Sequence, residues 1–152
     1  MKRSLLALVV TVALVESGAS QGTKGDATYI ASAEVTAAFE KGRPLVETDG
    51  YKVHAARRDA PGIAEVHLRD TDIFYVVSGS ATIMTGGDVV DGKTTAKDEI
   101  RGTSLKGGRT QRLAKGDIII IPQGIPHQFV AAEPGFLYYV VKATSGDRGS
   151  QP

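Results

Sequence analysis

The sequence predicts an all-β domain, a sandwich or barrel, with one short helix ahead of it. Three observations carry that prediction. Short runs of β-branched and aromatic residues recur between residues 45 and 142. Turn-forming pairs separate them, among them Asp49-Gly50, Pro61-Gly62, Gly86-Gly87, Asp91-Gly92, Gly107-Gly108, Lys115-Gly116 and Pro134-Gly135. Eighteen glycines stand against five tyrosines, four phenylalanines and no tryptophan, a composition rich in tight turns. The 152-residue length suits one domain with a core of useful size.

In chain order, the first twenty residues read as an export signal. Lys2 and Arg3 precede the apolar run Leu5 to Val15, and the small residues Ser17-Gly18-Ala19-Ser20 follow it. Eleven apolar residues fall short of the roughly 20 that a membrane-spanning helix needs. Cleavage after Ser20 would remove Lys2, Arg3 and Glu16, leaving a formally neutral mature chain. The expectation is a periplasmic or secreted protein with no membrane association after cleavage. Residues 21–44 form an N-terminal helical segment. There Ile30, Val35, Ala38 and Phe39 approach helical spacing, Ser32 is the expected N-cap, Glu34 suits the first turn, and Gly42 and Pro44 end the helix.

Strands are expected near 45–47, 51–57, 63–68, 72–78, 81–85, 110–113, 117–121, 126–131 and 136–142. Elements this short and this evenly spaced favour a sandwich or barrel over βαβ units. The stretch from Asp88 to Arg109 holds little apolar material and is expected to project as a hairpin or mobile loop beside the barrel. Residues 143–152 read as a flexible tail.

Several chemistries are excluded. Without cysteine there is no disulfide, thiolate nucleophile or sulfur-ligated metal. A net charge of +1 without a basic run gives no electrostatic footprint for nucleic acid. No G-x-S-x-G elbow, P-loop or dinucleotide fingerprint occurs.

Two motifs remain. Gly116-Asp-Ile-Ile-Ile-Ile-Pro122-Gln-Gly124-Ile-Pro-His127 is an apolar strand running into a turn set by Pro122 and Gly124, with a histidine opening the next strand. This G-x5-P-x-G-x2-H pattern resembles the second motif of the cupin superfamily. The first cupin motif, G-x5-H-x-H-x3–4-E-x6-G, is matched less fully by Glu65-Val-His67-Leu-Arg-Asp-Thr-Asp72-Ile-Phe-Tyr-Val-Val-Ser-Gly79. Gly79 anchors its end, Asp72 fills the glutamate slot and His67 the second histidine slot. Glu65 stands where the first histidine would be, and Ala131 where the second motif would close on asparagine.

The resemblance spans about residues 45–142. It implies a cupin-type antiparallel β-barrel of jelly-roll form, with a divalent metal held by Glu65, His67, Asp72 and His127. Residues 65 and 67 are two apart on a strand and so share a face. Two imidazoles with carboxylates favour Mn, Fe or Zn over copper. Asp72 is one methylene shorter than the family's glutamate. If it falls short of the metal, Glu65, His67 and His127 form a two-histidine, one-carboxylate triad. Each residue also has a structural reading: a turn cap for His127, an ion pair with Arg57 or Arg58 for Glu65, and a turn entry for Asp72. His54, on a face with Lys52 and Arg58, is read as a rim residue. Alternation from Asp72 puts Phe74, Val76 and Ser78 inward, alternation from His127 does the same for Phe129, and Tyr138 or Tyr139 is expected to join them. Phe74, Phe129 and Tyr139 are therefore the expected pocket for a small organic molecule.

The resemblance makes three functions available: an exported metal-dependent enzyme of oxygenase, isomerase or lyase type, a non-catalytic barrel binding a small ligand without metal, or an interaction module. It also makes a homodimer plausible through edge strands and the helix near 32–41.

Overall fold

Helix α1 (Ser32–Lys41) forms where Val35, Ala38 and Phe39 recur on one face, and Ala38 and Phe39 are buried. The computed structural model describes residues 26–146, so the expected export signal and residues 147–152 lie outside them. The helix begins four residues later than the apolar spacing suggested. Among the described residues Tyr29 stays 87% exposed, so its ring gains no burial that would favour extending the helix toward Thr28. Ser32 is not the cap. That position belongs to Ala31, which lends no side-chain bond, while its carbonyl accepts from the Glu34 and Val35 amides. At the other end Gly42 turns left-handed (φ 62°) and its N–H donates to the Ala38 carbonyl.

Thirteen strands follow among the described residues: β1 (Arg43–Glu47), β2 (Tyr51–Arg58), β3 (Ala64–His67), β4 (Asp70–Ser78), β5 (Ser80–Thr85), β6 (Asp88–Val90), β7 (Lys93–Ala96), β8 (Glu99–Gly102), β9 (Ser104–Lys106), β10 (Arg109–Ala114), β11 (Ile118–Ile121), β12 (His127–Ala132) and β13 (Phe136–Thr144). One sheet runs β1-β2-β13-β4-β11, the other β10-β5-β12-β3-β8-β7, and β6 pairs with β9 as a separate ribbon. Every pairing is antiparallel. The result is the all-β, jelly-roll-like architecture expected from the sequence.

The core lies between the two sheets. Phe74, Ile83, Phe129, Phe136, Tyr138 and Val140 are each at most 6% exposed. Burying each such side chain contributes roughly 1.5–3 kcal/mol, which makes this aromatic layer the main cohesive element. A second, smaller cluster sits outside the barrel, where Ala38 and Phe39 of α1 cover Ala55, Leu137 and Tyr139.

Two expectations are corrected here. Residues 88–109 are neither a projecting hairpin nor a loop: β8 pairs with β3 and extends the second sheet, and the β6–β9 ribbon packs against that extension. Gly102 permits the close approach, since a Cβ there would stand 2.3 Å from Val89 Cγ1 and 2.4 Å from the Val90 carbonyl oxygen. The polar sequence hid this because β7 is exposed along its whole length. Ser78, expected inward, is exposed. The β4–β13 register slips between Leu137 and Tyr138, so Ser78 pairs with Leu137 on the outer face while Val76 pairs with Tyr138 on the inner one.

Candidate metal centre

The site is assembled by register at one end of the barrel. On β3, Glu65 lies directly opposite His127 of β12, so both side chains leave the same face. His67, two residues further along, joins that face. The Pro122–Gly124 turn is tied down by the Gly124 amide donating to the His67 carbonyl oxygen, which links the two motifs at the backbone. Glu65, His67 and His127 thereby place one potential ligand atom each within 4.8 Å of one another. The two imidazole rings are 5.4 Å apart, and His127 Nε2 lies 4.0 Å from Glu65 Oε2.

Their surroundings disfavour the charged form of both histidines, and it is the neutral form that ligates metal. Burial lowers the pKa of His67, and nearby Lys142 adds to this, against the opposing pull of Asp72, Glu65 and Glu99. Burial likewise lowers His127, with His67 adding and Asp72 opposing. His127 Nδ1 faces the Ile125 carbonyl oxygen at 3.3 Å. A carbonyl only accepts, so the proton sits on Nδ1 and the Nε2 lone pair is left for the site.

Strand β8 completes the surroundings. Arg101 stands opposite Glu65 and Glu99 opposite His67. Arg101 Nη1 reaches Glu65 Oε1 at 3.2 Å, and its Nε also binds Glu99. The partner of Glu65 is thus Arg101 rather than Arg57 or Arg58. Arg57 binds Asp59, and the Arg58 guanidinium lies 4.7 Å over the Phe129 ring. None of these β8 residues was singled out by the sequence, and no local pattern marks them; only the pairing with β3 brings them to the site.

Asp72 comes to the same place from the other sheet. Its Oδ2 is 3.5 Å from His67 Nε2 and 3.6 Å from His127 Nε2. Both of its oxygens accept from Lys142 Nζ at 2.8 Å, and Lys142 is directly opposite it on β13. Removing either partner of so buried a pair would cost about 3–5 kcal/mol. His54 stays outside the group, with its Nε2 2.9 Å from Glu47 Oε1.

The expected apolar pocket is corrected. Phe74 and Phe129 stack at 5.7 Å within the packed core, and Phe74 meets the His127 ring edge-on at 6.1 Å, so they form a floor beneath the site. Tyr139 faces outward against Phe39 of α1 at 4.9 Å, while Tyr138 takes the inner position at 5.3 Å from both Phe74 and Phe129. Alternation along β13 allowed either phase, and the α1 contact decides it. A polar cleft of about 150 Å³ lies beside His67, lined also by Lys52, Arg69, Asp70, Lys97 and Glu99.

The donor set fits a divalent ion. Two imidazoles and one carboxylate converge from two adjacent strands, with Glu65 braced by Arg101 and His127 by the Ile125 carbonyl.

Comparison with known proteins agrees with this architecture. A family model described as Cupin matches residues 34–151. No curated protein matches the chain. KdgF from a Halomonas species is 22% identical with a TM-score of 0.50, over 69% of this chain and 80% of that one. A hydroquinone 1,2-dioxygenase from a Sphingomonas species, solved with 4-hydroxybenzoate bound, is 16% identical with a TM-score of 0.49, over 68% of this chain and 64% of that one. The DMSP lyase DddQ from Ruegeria pomeroyi is 18% identical with a TM-score of 0.46, over 68% of this chain and 42% of that one. At 22% identity the likeness to KdgF is one of fold.

Proposed function

The chain belongs to the cupin family, and we propose that it holds one divalent metal, Mn, Fe or Zn, on Glu65, His67 and His127 and acts through it on a small organic substrate. The observation that carries this reading is the convergence of those three ligand atoms, with burial disfavouring the charged form of both imidazoles. A metal bound there supplies Lewis-acid or redox chemistry with coordination positions left for substrate.

The chain's own residues do the rest. His67 and His127 present Nε2, and Arg101 fixes the Glu65 carboxylate by one oxygen. Phe74 and Phe129 keep water from the inner side. Substrate enters through the polar cleft beside His67, where Lys52, Arg69 and Lys97 offer cationic contacts. The apolar run and small residues of 1–20 support export to the periplasm or beyond. A homodimer is supported by the edge strand β11, whose outer face exposes Ile118 and Ile120.

The test is elemental mass spectrometry on the dialysed protein, with His67→Ala and His127→Ala alongside. About one Mn, Fe or Zn per chain, lost in both variants, is expected. A folded, metal-free protein that retains a small organic ligand through purification would instead make it a non-catalytic ligand-binding barrel.

A further inference from the structure

We infer that Lys142 withholds Asp72 from the metal, so that this centre takes three protein ligands where the position of Asp72 would allow four. The inference rests on the metal reading above and concerns how the chain uses that site.

Distance alone does not exclude Asp72. Its Oδ2 lies 3.5 Å from His67 Nε2 and 3.6 Å from His127 Nε2. Two ligand atoms sharing one tetrahedral metal at ordinary bond lengths stand about 3.4 Å apart, so the carboxylate already sits at ligand spacing. What excludes it is its partner. Lys142 Nζ donates to both Asp72 oxygens at 2.8 Å, and the two side chains are only 3% and 14% exposed.

The ammonium is not a wandering surface group. Lys142 is fixed opposite Asp72 by the β4–β13 register, and the residue opposite it on its other side is a second cation, Lys52. Lys52 is itself engaged with Asp70 at 3.0 Å. If Asp72 turned to a metal, Lys142 would be left enclosed next to both another cation and the metal, without its counter-charge.

Glu65 shows the contrast. Arg101 takes only its Oε1, leaving Oε2 facing His127. One carboxylate is braced for ligation, and the other is occupied. Asp72 then serves as a hydrogen-bond acceptor beside the open coordination positions rather than filling one of them.

Cobalt(II) is the probe, because its visible bands report coordination number and donor set. Spectra would be recorded for the purified protein and for Asp72→Asn, Lys142→Met and the double variant, each checked by circular dichroism for native strand content. The wild-type band pattern should persist in Asp72→Asn and in the double variant, and should change in Lys142→Met, where Asp72 is freed to ligate. A changed spectrum in Asp72→Asn, or an unchanged one in a folded Lys142→Met, would overturn the inference while leaving the metal reading intact. If Lys142→Met does not fold, Asp72→Asn decides alone. If the wild type takes up no cobalt while folded, the metal reading itself fails and this inference falls with it.

Discussion

Arg101 stands directly across the β3–β8 pairing from Glu65 and holds one of its carboxylate oxygens at 3.2 Å, leaving the other toward His127 Nε2. This cross-strand pair ties the polar stretch of residues 88–109 to the candidate metal centre.

Arg101→Leu should therefore weaken metal binding without unfolding the protein. Its side chain is 42% exposed, so the lost ion pair costs little stability. Residues that brace a ligand typically change metal affinity by about 10- to 100-fold, and a loss in that range is expected here by calorimetric titration with Mn(II) or Zn(II). An affinity equal to the wild type's would show that Glu65 needs no orienting partner.

Metal-free stability should fall with acid in a way set by the two buried histidines. Both have folded pKa values lowered from 6.5 by burial, so the unfolded chain takes up protons first as pH drops. Their contribution is complete above the unfolded value and is lost as pH falls through the lower folded values. Urea midpoints measured from about pH 8 down to about pH 5 should decline, and His127→Gln should flatten that decline. A slope unchanged by the substitution would assign the effect elsewhere.

Phe136→Ala should destabilise the fold by about 3–5 kcal/mol, because it empties a wholly buried ring position. The ring stacks on Tyr138 at 5.0 Å and meets Phe129 at 5.7 Å, at the end of the core away from the histidines. Chemical denaturation reads the loss. Metal stoichiometry of the folded fraction should match wild type, which separates the core from the site.

Ile118→Glu combined with Ile120→Glu should give a folded monomer. These side chains are 61% and 60% exposed on edge strand β11, and Tyr75 lies opposite Ile118 at 46%. An apolar strip on an open sheet edge is a pairing surface. Light scattering should find a dimeric wild type and a monomeric variant; a monomeric wild type would refute a second copy as the occupant of this strip.

Most strands could be read from the chain because their apolar runs end at glycine and proline turns, which are local signals. The spacing that singled out His67, Asp72 and His127 was equally local. Short polar strands gave no such signal: β8 gains its place by pairing with β3, and β7 by pairing with β8, through backbone hydrogen bonds that say little about side chains. The helix start escaped for a related reason: Thr28–Ile30 continue the helical spacing, yet Tyr29 stays 87% exposed and the helix begins only at Ser32.

The sequence by itself determined an all-β barrel with a short helix before it, and named the four acidic and histidine side chains that meet at one end. Tertiary structure alone decided the partners of three of them: Arg101 for Glu65, Lys142 for Asp72, the Ile125 carbonyl for His127. It also decided that Tyr138, not Tyr139, joins the core. Alternation along a strand offers two phases of equal merit. The choice between them, and between a carboxylate that ligates and one that is neutralised, depends on which strand lies alongside, and that is fixed only when the sheets close.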